Sequence, residues 1–160
     1  MGLIDEAIAL EERAEMYYRS AAEMTSDKGA ARILTLLAGE EAAHAIALRT
    51  MNAGGMQAHV SLLEAARDWI GGAIEGGAST ISSDAGLLEL LRQAMETERV
   101  TRDFYRERGE GAGESEIGHL FERLARIEEG HYAFLSSLVE FYDRPNEWVE
   151  AAEFGLRAPY

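Results

Sequence analysis

The apolar seams of this chain are interrupted by charge, and this happens four times. Ile4, Ala7, Glu11, Ala14, Tyr18 and Ala21 recur at spacings of three and four, as do Leu34, Leu37, Glu41, His44, Leu48 and Met51. The same rhythm runs through Leu87, Leu91, Ala94, Glu98, Thr101 and Tyr105, and through Phe121, Leu124, Glu128, His131, Leu135 and Leu138. Such spacing puts each set on one face of a helix, the face that is normally buried. A glutamate breaks each seam near its middle. In the second and fourth seams a histidine follows three residues later on the same face. Any fold open to this chain must give four inward carboxylates a reason to be inside.

The seams also repeat. Adding 87 carries Glu11 to Glu98, Glu41 to Glu128 and His44 to His131, and it carries Tyr18 to Tyr105, Leu37 to Leu124 and Ala38 to Ala125. Most other acids do not follow the rule: Asp5, Glu6, Glu12, Glu15 and Glu40 land on Arg92, Gln93, Arg99, Arg102 and Ile127, while Glu23 and Asp27, which flank the turns, land on Glu110 and Glu114. The repeat therefore separates acids expected to face inward from acids expected to face solvent, Glu40 among the latter.

Four long helices are predicted, at about Leu3–Thr25, Ala30–Asn52, Asp84–Arg108 and Ser115–Tyr142. No proline occurs before Pro145, and Ala, Leu, Glu and Arg dominate, as an all-helical chain requires. Thr25-Ser26-Asp27-Lys28-Gly29 reads as a turn in which Ser26 or Asp27 caps the next helix, and Gly109-Glu110-Gly111-Ala112-Gly113-Glu114 as a flexible break. The expected fold is all-α, a four-helix bundle over residues 1–142. Its two antiparallel hairpins, about 3–53 and 84–142, are joined by a long, partly helical crossover at 54–83. The crossover contains an amphipathic segment, Ser61–Ile74. A tail at 143–160 is expected to pack on the bundle or on a second subunit.

In such hairpins the geometry is specific. Glu11 lies about 16 residues before the first turn and Glu41 about 14 after it, nearly level at ~1.5 Å per residue. Glu98 and Glu128 stand similarly about the second turn. Packing the hairpins together brings four glutamates and two histidines to one height. Buried carboxylates cost several kcal/mol each and repel one another, so they must be protonated, paired or bound to metal. No Lys or Arg occupies the central seam positions. Two divalent ions would neutralise four glutamates, and mixed carboxylate and imidazole donors suit iron or manganese. One Glu on each of two helices plus Glu-x-x-His on each of the other two is a known way to build that site in a bundle. A third Glu-x-x-His, Glu116–His119, has no repeat partner, because position 32 is Arg. His119 and His59 are read as bland.

Composition narrows the partners. Asp and Glu number 29 against 15 Lys and Arg, a formal charge of -14, which argues against nucleic acid and against an anionic membrane surface. The absence of cysteine excludes disulfides, thiolate zinc sites and cysteine-ligated clusters. No signal peptide or apolar run of membrane-spanning length is visible, so a cytoplasmic protein is expected.

The stretches Glu11–Tyr18, Leu37–His44, Glu98–Tyr105 and Leu124–His131 resemble the ferritin-like superfamily, and most of all its rubrerythrin-type di-iron proteins, over roughly residues 1–142. The resemblance implies Glu11 and Glu98 as terminal ligands, Glu41 and Glu128 as bridges, and His44 and His131 on one ion each. Tyr18 and Tyr105 match tyrosines that support such ligands, and equally match aromatic core fillers. Two departures stand out. The sequence has no cysteine-rich electron-transfer domain, and Thr101 stands where rubrerythrins place an additional glutamate. The implied cofactor is two iron ions, with manganese as the alternative. The implied activity is activation or reduction of hydrogen peroxide or dioxygen, followed by ferroxidase action, with electrons from an external donor. A homodimer is expected, with hairpin exchange as one form of it. A non-catalytic metal-binding bundle is the rival reading.

Overall fold

The computed structural model describes residues 2–52 and 85–143. Four helices make up these residues: α1 (Leu3–Met24), α2 (Lys28–Asn52), α3 (Ala85–Ala112) and α4 (Glu116–Asp143). The expected crossover and its amphipathic segment, His59, and the tail beyond Asp143 lie outside the described residues. None of the described helices is long and apolar enough to cross a membrane.

Local chemistry sets the helix ends. Asp27 caps α2, accepting a hydrogen bond from the Ala30 amide at 2.8 Å, so the helix starts at Lys28 rather than Ala30. Ser115 does the same for α4 through the Gly118 amide at 3.1 Å. At the end of α3 the outcome differs from the expected break at Gly109. The helix continues to Ala112, and only Gly113 takes a left-handed conformation, φ +58°, as the chain turns. The earlier glycine serves packing instead. A Cβ at Gly109 would meet the Cβ of Phe121 at 3.4 Å, and one at Gly118 would lie 2.0 Å from the carbonyl oxygen of Gly113. The glycines let α3 and α4 approach closely near their turn.

α1 pairs with α2 and α3 with α4, and the hairpins face each other head to tail. One apolar core gathers Tyr18, Ala21, Ala30 and Leu34 with Leu87, Leu91, Leu135 and Leu138, joining the end of α1 to the start of α3. The other gathers Ala7 and Leu48 with Tyr105, Phe121 and Leu124 at the opposite end. The two turns thus sit at opposite ends of the bundle, as do the end of α2 and the start of α3. Tyr17 ties the hairpins together by donating to the carbonyl of Leu90 at 2.6 Å. This is the ferritin-like all-α four-helix bundle. Its interrupted seams meet in a polar layer between the two apolar cores.

Candidate metal centre

All six seam ligand candidates converge in that layer and are at most 7% exposed. Glu11 comes from α1, Glu41 and His44 from α2, Glu98 from α3, and Glu128 and His131 from α4. The His44 Nδ1 atom lies 3.4 Å from Glu11 Oε2, 3.2 Å from Glu41 Oε2 and 3.2 Å from Glu128 Oε1. The His131 Nδ1 atom lies 3.1 Å from Glu41 Oε1, 3.3 Å from Glu98 Oε2 and 3.3 Å from Glu128 Oε2. The imidazole rings lie nearly parallel, 16° apart, with centroids 5.8 Å from each other. Glu41 and Glu128 therefore turn one oxygen toward each histidine, while Glu11 and Glu98 each serve one side.

The two tyrosines do more than fill the core. Both are wholly buried, and each donates its hydroxyl hydrogen bond across the bundle: Tyr18 of α1 to Glu98 of α3, and Tyr105 of α3 to Glu11 of α1. The bonded oxygens are Oε1 in both cases, leaving Oε2 of Glu11 and Glu98 for the histidine side. Burial first, then the facing carboxylates, push both phenols well above their usual range, so they remain donors.

Electrostatics among the cluster's side chains follow from burial. Burial pushes the carboxyls of Glu11 and Glu98 well up, with repulsion from Glu128 adding to the first and from Glu41 to the second. Glu41 and Glu128 feel the same burial, yet they are held below their ordinary values. The facing histidines do this for Glu41, and the neighbouring carboxyl of Glu98 together with both histidines does it for Glu128. Burial works against the charged histidines, but the carboxylates, Glu11 foremost for His44 and Glu98 for His131, raise both well above the usual range. Glu11, Glu98, His44 and His131 thus hold protons more tightly than free side chains do, and Glu41 and Glu128 less tightly.

The donor set fits metal. Glu11 Oε2, Glu41 Oε1 and both oxygens of Glu128 are buried without a hydrogen-bond partner, and an orphaned buried carboxylate oxygen is costly. The side chains form two overlapping groups able to hold a metal ion, Glu11, Glu41, His44 and Glu128 on one side and Glu41, Glu98, Glu128 and His131 on the other. Within each group the ligand atoms lie within 4.8 Å of one another.

Three other residues complete the picture. His119 is exposed and meets Glu114 at 3.2 Å, away from the cluster. Thr101 is buried, but its hydroxyl turns back to the Thr97 carbonyl at 3.1 Å. Glu40 corrects the expectation that it faces solvent: it is 5% exposed, and its Oε2 lies 3.4 Å from Nε2 of His131. The missed signal was spacing, for Ile33, Leu37, Glu40 and His44 also run at intervals of three and four. The repeat concealed it, because position 127 is Ile. A cavity of about 450 Å³ opens beside the α3–α4 turn, and the Tyr105 ring forms part of its wall.

A ferritin-like bundle with a buried layer of four glutamates and two histidines has a carboxylate cluster able to hold metal. Residues 3–139 match the Rubrerythrin family, and the chain belongs to it. Among solved structures, a hypothetical protein from Pyrococcus furiosus is similar at 24% identity, with a TM-score of 0.64 over 88% of this chain and 87% of that one. That likeness shows the shared fold. A comparison with curated proteins found no match.

Proposed function

We propose that this protein is a di-iron carboxylate oxidoreductase that reduces hydrogen peroxide or dioxygen. The observation that carries the reading is the pair of shared carboxylates: Glu41 and Glu128 each offer one oxygen to the His44 side and the other to the His131 side. Glu11 with His44 would complete one ion's protein ligands, and Glu98 with His131 the other's. A pair of iron(II) ions held by these residues would supply the two electrons that reduction of a single oxidant requires.

The chain's own residues set the conditions. The Tyr18 and Tyr105 hydroxyls fix the outer oxygens of Glu98 and Glu11, so those carboxylates present Oε2 inward. Burial of all six ligands excludes bulk water and favours a small oxidant over a large substrate. The two apolar cores hold the helices at fixed spacing. With no cysteine in these 160 residues, a thiolate-based electron donor would lie outside them.

Thr101 favours a second reading. Its hydroxyl is bonded within α3, so the layer keeps the six-ligand set without an added carboxylate at that position. This is nearer a ferroxidase, for which iron(II) is itself the substrate. Iron-loaded, reduced protein mixed anaerobically with hydrogen peroxide, or separately with dioxygen, decides between the readings. Fast stoichiometric oxidation by peroxide with re-reduction by an added donor supports the first. Preference for dioxygen, with continued uptake of iron(II), supports the second. Absence of bound iron or manganese after metal-supplied expression, with unchanged stability in Glu41→Ala and His131→Ala, overturns both.

A further inference from the structure

We propose that Glu40 is a positioning residue that makes the two halves of the cluster unequal, so that the His131 half takes its divalent ion first and more tightly. The inference rests on the di-metal reading above, and adds to it an order of filling.

The repeat makes the halves look alike. Each histidine faces three carboxylate oxygens through Nδ1, and each half has one glutamate of its own and two shared ones. Among the described residues they differ on the far side of the imidazole. His131 is wholly buried, and its Nε2 faces Oε2 of Glu40 at 3.4 Å, a contact that reaches from α2 to α4. The three carboxylate contacts of His44 all run through Nδ1. The repeat equivalent of Glu40 is Ile127, which carries no acceptor and packs against the core around Phe121 and Leu124.

The difference acts on the ligand atom. A neutral histidine that binds metal through Nδ1 must carry its proton on Nε2. A carboxylate opposite that N–H selects this tautomer, holds the ring in place and makes Nδ1 a stronger donor. Ile127 supplies no such acceptor to the His44 half. Residues in this supporting role typically alter metal affinity by about 10–100-fold.

Anaerobic cobalt(II) titration of the full chain, followed by visible absorption and calorimetry, tests the order. The expected parent result is two resolved steps. Glu11→Ala leaves the His131 half intact, and Glu98→Ala leaves the His44 half. Adding Glu40→Leu is expected to weaken cobalt binding about 10–100-fold in the Glu11→Ala background and less than about threefold in the Glu98→Ala background. Glu40→Gln, which keeps an acceptor, is expected to restore part of the loss, and it carries the test if Glu40→Leu fails to fold by circular dichroism. Equal weakening in both backgrounds, or in neither, overturns the proposal while leaving the di-metal reading intact. Failure of the parent to bind cobalt, iron or manganese overturns both.

Discussion

The two hairpins solve the same problem with different turns. In the first, three residues link α1 to α2, Asp27 caps the second helix, and alanines stand at positions 22 and 31. In the second, the repeat equivalents are Gly109 and Gly118, and the helices run on until they nearly touch. Both arrangements deliver a Glu and a Glu-x-x-His pair to the same height. The turn is therefore free to vary so long as the register of the seam is kept, and the polar layer, which cannot tolerate a slipped register, is where the hairpins agree most closely.

The sharpest way to break this twofold likeness is to remove ligands one at a time. Glu128→Ala is expected to abolish binding at both metal positions, because its oxygens serve both sides, and Glu41→Ala to do the same. Glu11→Ala and Glu98→Ala should each lose a single ion, from opposite halves. Metal analysis after dialysis reads this directly. Retention of two ions in Glu128→Ala would refute the shared role.

Protons give the next largest effect. Filling the cluster displaces protons from the groups that hold them most tightly, Glu11, Glu98, His44 and His131, so protons should be released as divalent ions bind in weakly buffered solution. The stability slopes follow. Without metal, the raised carboxyl and histidine values mean that the folded state holds protons the unfolded chain has lost. Their stabilisation is complete below the unfolded values, about 4.5 for the carboxyls and 6.5 for the histidines, and is lost as pH rises through the raised folded values. Metal-free protein should thus become less stable from pH 6 to pH 9. With metal bound, the unfolded chain is the better proton binder below about pH 6.5, so stability should rise toward neutrality and then level. Urea denaturation at several pH values with and without metal measures both slopes, and parallel slopes would contradict the proton assignment.

Smaller changes sharpen the contrast between the turns and between the halves. Gly118→Ala should cost about 3 kcal/mol, because its Cβ would collide with the backbone at Gly113. Tyr18→Phe should weaken the ion held by Glu98 about tenfold, and Tyr105→Phe the ion held by Glu11, each acting on the opposite hairpin. Cobalt titration in the single-ion backgrounds distinguishes this crossed pattern from a same-hairpin effect. At the low end, Gly39→Ala should stabilise by about 0.5–1 kcal/mol, since a Cβ there meets nothing within 4 Å and the helix gains propensity. Thermal unfolding reads that shift.

The seams made most of the bundle legible. Periodicity located four helices, and the 87-residue repeat picked out six side chains that do converge. What escaped depended on neighbours from other helices. Tyr18 and Tyr105 could be put near the layer by spacing, but their crossed partners depend on the head-to-tail packing of the hairpins. Gly109 reads as a breaker to any local rule, and only the nearness of Phe121 explains its place inside a helix. Glu40 was hidden by the same symmetry that exposed the others, since a filter for repeated acids discards a residue whose purpose is to differ from its twin.

The crossed tyrosines carry one further consequence, for assembly. A hairpin folded alone holds one terminal glutamate and one Glu-x-x-His pair, but the hydroxyl that orients its terminal glutamate belongs to the other hairpin. Neither half can present a finished set of ligands by itself. Orientation of the donors is thereby a coincidence condition: the crossed hydrogen bonds form only where both hairpins meet in the right register.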